Sequence, residues 1–154
     1  MLTVVSGGQT GVDRAALDAA RALGLPCGGW CPRGRNAEDG RIDPVYPLVE
    51  TPDEDYSQRT EWNVRDSDAT LVLTRGRPRG GTAFTIAVAR RLDRPLLVVD
   101  LDEDSSPDEA RRWIEAGRIA VLNVAGPRES QHPGIGQQAQ AFLKQLFRLT
   151  STRG

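Results

Sequence analysis

The sequence predicts a single doubly wound, mostly parallel α/β domain over residues 1–149, with helices on both faces of its sheet. Three observations predict it. Short apolar runs alternate with stretches of helical period in the order β-α-β-(irregular)-α-β-α-β-α-β-α, the alternation that builds parallel sheets. Twice, at Leu2–Thr10 and again at Ala69–Thr82, a strand runs through glycines to a threonine where a helix begins. Finally, Pro95–Leu101 is apolar apart from Asp100, as expected of a parallel strand buried on both faces.

The opening unit organises the rest. Leu2 to Val5 is a β-branched run that breaks at Ser6-Gly7-Gly8-Gln9-Thr10-Gly11. Val12, Ala15, Ala16, Ala19, Ala20 and Leu23 then share one helical face, and Gly24 closes the helix. In a strand–glycine loop–helix unit, backbone N–H groups and the positive end of the helix dipole converge on one point, which suits a phosphate. Thr10 and Asp13 also have the spacing of a capping box, with Asp in place of Glu. Capping and ligand binding both account for these two residues, but capping leaves three glycines in five residues unexplained. The loop is not a Walker motif, because no Lys-Ser/Thr follows Gly11. Nor is it a standard dinucleotide fingerprint: Ser6 stands at the first glycine place, and no acidic residue follows at the ribose-binding distance.

Leu25 to Trp30 reads as a second strand, followed by a polar loop from Pro32 to Arg41, too long for a plain turn. Pro44, Pro47 and Pro52 mark an irregular path around Leu48-Val49. Tyr56 to Ser67 has helical character, with a stripe of Tyr56, Arg59, Thr60 and Asn63 instead of interchangeable Glu and Lys. That stripe fits either a solvated surface or a contact with a subunit or ligand. Ala69 to Thr74 is a buried strand leading into Arg75-Gly76-Arg77-Pro78-Arg79-Gly80-Gly81-Thr82, where three arginines surround a second anion-favouring helix start. Beyond the Pro95–Leu101 strand lie a helix from Asp108 to Ala116, a strand from Ile119 to Val124 and the loop Ala125-Gly126-Pro127-Arg128-Glu129-Ser130. The last helix runs from about Ile135 to Leu149, and residues 150–154 read as a frayed tail.

Composition narrows the function classes. At 154 residues, 38% hydrophobic and 27% charged, the chain suits one core. A net charge of −1 offers no bulk attraction to nucleic acid or anionic membrane. No apolar run approaches the ~20 residues of a membrane span, and the chain enters a strand without a signal peptide, so a cytoplasmic protein is expected. Lys144 is the sole lysine among 20 basic residues, so no lysine lies near the glycine loops to act as a nucleophile. Cys27 and Cys31 lack the partners of a structural zinc site and the spacing of a redox pair, so no metal is expected.

In doubly wound sheets, ligands bind beyond the carboxyl ends of the strands. Unusual loops follow four of the five strands: Ser6 to Gly11, Trp30 to Arg35, Arg75 to Thr82 and Asn123 to Ser130. Their convergence predicts a phosphate-bearing, nucleotide-like ligand. The candidate contacts are Gly7, Gly8, Gln9, Thr10 and Gly11 from the first loop and Arg33 from the second. The third supplies Arg79, Gly80, Gly81 and Thr82, and the fourth Asn123, Gly126, Arg128 and Glu129. Phosphate would rest on the N–H groups of Gly7–Gly11 and Gly80–Thr82, with Arg79 and Arg128 as charge partners.

Taken together, Ser6-Gly7-Gly8-Gln9-Thr10-Gly11-Val12-Asp13-Arg14, Gly29-Trp30-Cys31-Pro32-x-Gly34-Arg35, Tyr56-x-x-Arg59-Thr60-x-x-Asn63, Gly80-Gly81-Thr82 and Asn123–Ser130 resemble the molybdenum-cofactor carrier proteins. These form a circularly permuted branch of the SLOG superfamily of Rossmann-like domains. The resemblance runs from about Leu2 to Leu149. It implies a homo-oligomer that binds molybdopterin or a nucleotide-derived ligand through its glycine loops, and it implies no particular reaction. The same superfamily includes nucleoside-monophosphate phosphoribohydrolases, whose Gly-Gly-x-Gly-Thr loop is followed by glutamates. Here Thr82 is followed by Ala83, Phe84 and Thr85. An N-glycosidic hydrolase would therefore need Asp13, Glu38 or Glu129 as its acid/base.

Overall fold

The computed structural model describes residues 1–103 and 106–151, with Ser151 described by its backbone alone. The first half runs β1 (Thr3–Val5), α1 (Val12–Ala22), β2 (Cys27–Gly28), β3 (Trp30–Cys31), β4 (Asn36–Ala37), β5 (Gly40–Arg41) and β6 (Val49–Glu50). The second half runs α2 (Tyr56–Arg65), β7 (Ala69–Thr74), α3 (Gly80–Arg91), β8 (Leu96–Asp100), α4 (Asp108–Ala116), β9 (Val121–Ala125) and α5 (Ile135–Ser151).

Five of these strands form the central parallel sheet, in the order β2-β1-β9-β7-β8. Its most buried member, β7, has all six residues inside the protein. The last strand in the chain, β9, lies between β1 and β7, pairing Leu122 with Val4 on one side and with Ala69 on the other. Leu71 and Leu73 face the larger core, where α1, α4 and α5 pack. Ala15, Ala16, Ala19 and Ala20 are small enough for α1 to approach α5 closely, and Phe142, Leu143, Leu146 and Phe147 fill the space between. Side chains alternate along a strand, so Thr70 and Val72 point to the opposite face. There Val64 of α2 packs on Val88 and Ala89 of α3. Helices thus cover both faces, as the alternating pattern predicts.

The structure corrects several local expectations. The second strand divides at Gly29, where φ is +127° and an added Cβ would lie 2.9 Å from the Ser6 nitrogen. Cys27–Gly28 stays in the main sheet, while Trp30–Cys31 turns aside to pair with Val49–Glu50. Asn63 takes the place of a neighbouring strand there, accepting from the Trp30 N–H at 2.8 Å and donating to its carbonyl at 3.0 Å. The Pro95–Leu101 run becomes β8 at the edge of the sheet, and Val98 is 39% exposed, so burial on both faces does not hold. Edge position overrides apolar composition in that strand. The final helix continues through Thr150 and Ser151, and residues 152–154 of the expected tail lie outside the described residues.

The polar stretch after Pro32 has structure of its own. Asn36–Ala37 and Gly40–Arg41 pair as a small hairpin. Behind it, the buried Arg35 guanidinium donates to the carbonyls of Ile42, Asp43, Tyr46 and Leu48 at 2.9–3.2 Å. One side chain replaces the backbone ladder that this irregular path lacks. Ile42, Leu48 and Cys31 then close a small apolar cluster with Leu17 of α1. Arg35→Ala leaves the Asp43 and Tyr46 carbonyls with backbone donors, from the Tyr46 and Leu48 N–H groups, but removes the donor to those of Ile42 and Leu48, at ~1–3 kcal/mol for each that water cannot reach. The variant is expected to lose about 3 kcal/mol or more in urea denaturation. Limited proteolysis should cut first between residues 36 and 48.

Candidate ligand-binding site

The carboxyl ends of β1, β7 and β9 open into a cavity of about 340 Å³. Gly7, Gln9 and Asp13 form one wall, Gly80, Gly81 and Thr82 at the start of α3 another, and Asn123 to Gly126 the floor. Arg128 and Gln131 stand on the β9 side, while Tyr56, Arg59, Thr60 and Asn63 project from α2. The α2 stripe, which the sequence leaves open between surface and contact, is therefore cavity wall. Asp55 starts that helix by accepting from the Ser57 N–H at 2.8 Å.

Eight of the sequence candidates line the cavity: Gly7, Gln9, Gly80, Gly81, Thr82, Asn123, Gly126 and Arg128. Gly81 differs from the other glycines that line the cavity, Gly7, Gly80 and Gly126, because an added Cβ would meet no protein atom within 4 Å. The space beside its Cα is open, at a helix end where the Gly80 and Gly81 N–H groups precede the first bond of the helix, from the Thr82 N–H to the Arg79 carbonyl at 3.1 Å. Gly8, Thr10, Gly11, Arg33, Arg79 and Glu129 lie outside the lining. Gly8 is buried against Ile42 and Leu48, and its carbonyl accepts from Arg14 at 3.0 Å. Gly11 packs on the backbone of Arg128 and Glu129, where a Cβ would come within 2.8 Å. Arg33 is exposed and its N–H bonds to the Asp53 carbonyl, while exposed Arg79 precedes the first turn of α3.

The capping-box reading of Thr10 and Asp13 does not hold. Gly11 occupies the N-cap of α1, with no side-chain cap, and the Thr10 hydroxyl is engaged elsewhere. It donates to Glu38 and accepts from the Glu129 N–H at 3.1 Å. Gln9 Oε1 accepts from the Thr10 and Glu38 N–H groups, and Glu38 accepts from the Ser130 N–H at 3.1 Å with Arg128 Nε at 3.4 Å. Burial pushes the Glu38 carboxyl up, but hydrogen bonds from Ser130 and Thr10 outweigh it and hold its pKa below the usual range. Glu129 accepts from the N–H groups of Gly134 and Gly136 at the approach to α5. Both glutamates tie loops together. Among the described residues, no three His, Cys, Asp or Glu side chains gather as metal ligands would, and no helix is long and apolar enough to cross a membrane.

The model of the circularly permutated YpsA SLOG family matches residues 4–147, which take in the central sheet apart from Thr3 of β1. The chain belongs to the circularly permutated YpsA SLOG family. Its fold also superposes on a solved structure from Syntrophus aciditrophicus SB described as "Putative molybdenum carrier protein". The two share 45% sequence identity, with a TM-score of 0.89 over 95% of this chain and 94% of the other. No curated protein matches the chain.

Within this SLOG domain, Asp13 is the wall residue least at ease. It is 6% exposed, and burial raises its pKa from the usual 3.8 to about 6, against the opposing pull of Arg59, the Gln9 and Gly126 backbones and Arg14. Arg59 Nη1 lies 3.5 Å from Asp13 Oδ2, but makes its closer bond, 2.9 Å, to the Gly7 carbonyl. The sequence offers Asp13 as part of a capping box and as a possible acid/base, and it does not point to Ser57, Phe84, Thr85 or Gln131 in the lining. The one local signal for Phe84 and Thr85 is their place a turn beyond Gly81. A folded-state pKa above the unfolded one adds stability only while the group is protonated: fully below pH 3.8, and lost as pH rises through about 6. Above that, the ionised carboxylate costs up to roughly 3 kcal/mol. Asp13→Asn should therefore raise the melting temperature at pH 7.5, and the gain should vanish near pH 4.

Proposed function

We propose that the chain is a binding or carrier protein for a phosphate-bearing ligand, either molybdopterin or a nucleotide-derived molecule, held at the glycine-rich start of α3. The observation that carries this reading is the open space beside Gly81, at the start of α3, in a cavity that Arg128 and Arg59 also line. Helix N–H groups and guanidinium donors around one volume favour a phosphate dianion. The description of the 45% identical relative as a molybdenum carrier supports the same class.

Gly81→Val fills the approach to those N–H groups without meeting protein. It should fold normally by circular dichroism and lose the thermal stabilisation that nucleoside 5′-monophosphates confer on the parent protein. Undiminished stabilisation of the variant would remove α3 from the site.

One observation favours a hydrolytic alternative: Asp13, with its raised pKa, borders the cavity. Against it, Ala83, Phe84 and Thr85 occupy the places where the superfamily's hydrolases carry glutamates, and Glu38 and Glu129 are held by backbone N–H groups. Losing a positioned acid/base typically costs ~10²–10⁴-fold in rate. Incubation with adenosine or guanosine monophosphate for hours should release no free base above background, as followed by chromatography. Release that disappears in Asp13→Asn would make the protein a hydrolase with Asp13 as its acid/base.

A further inference from the structure

A site built only for phosphate has no use for a buried carboxylate, yet Asp13 is part of this cavity's wall. Burying an ionised carboxylate is unfavourable unless donors surround it. Arg59 and the backbones of Gln9 and Gly126 favour its ionised form, but together they do not offset its burial. Arg59, from α2, meets it through one nitrogen at 3.5 Å, where a two-bond guanidinium fork would place two nitrogens at ~2.7–2.9 Å. Arg14, on the same helix, bonds to Asp39 at 2.6 Å and to the Gly8 carbonyl at 3.0 Å instead. Those two arginines are the charged groups acting on Asp13.

The carboxylate repels phosphate at its own position, so the part of a ligand that reaches it must bring N–H donors. Two adjacent donors in one plane match the two oxygens of a carboxylate. Tyr56 and Phe84 border the same cavity and offer aromatic surface to a flat ring. We infer that Asp13 is a specificity-determining residue that selects ligands whose ring presents the paired N–H donors of a 2-amino-4-oxopyrimidine edge, while α3 holds their phosphate. This inference deepens the proposed binding function and rests on it.

Guanosine and inosine 5′-monophosphate test it, because they share the phosphoribosyl group and differ only in the exocyclic amino donor. Calorimetry at pH 7.5 should show guanosine monophosphate binding about tenfold or more tighter, since inosine monophosphate brings one donor fewer to the carboxylate. In Asp13→Asn, with folding checked by circular dichroism, that preference should fall to within about twofold. The parent protein should lose the preference below pH 6, as Asp13 takes up a proton. Equal affinities in the parent protein, or a preference that survives Asp13→Asn, would overturn the inference and leave the phosphate site standing. If no nucleoside monophosphate bound at all, the proposed function and this inference would fall together.

Discussion

The cavity depends on the hydrogen bonding of β9 between β1 and β7. With Leu122 paired to both Val4 and Ala69, the loops that follow β1, β7 and β9 leave the sheet side by side. The Asn123–Gly126 segment becomes a floor, and the starts of α1 and α3 stand on either side of it. A parallel edge pairing for β9 would separate the first loop from Arg128 and Glu129. The close packing of Gly11 on that backbone would then have no counterpart.

Polar side chains, more than apolar ones, fasten the loops once the sheet has brought them together. Glu38 joins the β4–β5 hairpin to the loops after β1 and β9, and Arg35 holds the chain behind the hairpin. Asn63 fixes α2 to Trp30, and Arg59 fixes it to Gly7. Each of these groups is largely satisfied by backbone partners, so it adds rigidity without leaving an unpaired charge. Asp13 is the exception. Its carboxylate opposes stability near neutral pH, a common property of residues retained for what they bind.

The parallel sheet and its covering helices were legible because their signals are local. Alanines at helical spacing in α1, the β-branched opening run and the apolar β7 each declare an element within a dozen residues. The glycine loops were legible as loops for the same reason. Gly7 and Gly81 line the cavity, whereas Gly8 and Gly11 answer to packing, and sequence cannot separate these roles. A glycine that admits a ligand and one that admits a neighbouring chain have the same composition and the same spacing. The burial of β8 was misjudged on similar grounds: apolar content does not reveal whether a strand has one neighbour or two.

Sequence alone therefore determined the layered α/β architecture, the order of its elements and the loops at the carboxyl edge. Periodicity and turn chemistry act over a few residues and need no knowledge of the rest of the chain. Tertiary structure decided which side chains meet. Thr10 bonds the backbone at Glu129 across 119 positions, and Arg59 reaches Gly7 across 52. The order of strands in the sheet sets those encounters, and no local pattern encodes it. For that reason Glu38 became a fastening, the α2 stripe became a wall, and Asp13 became the buried carboxylate of the cavity.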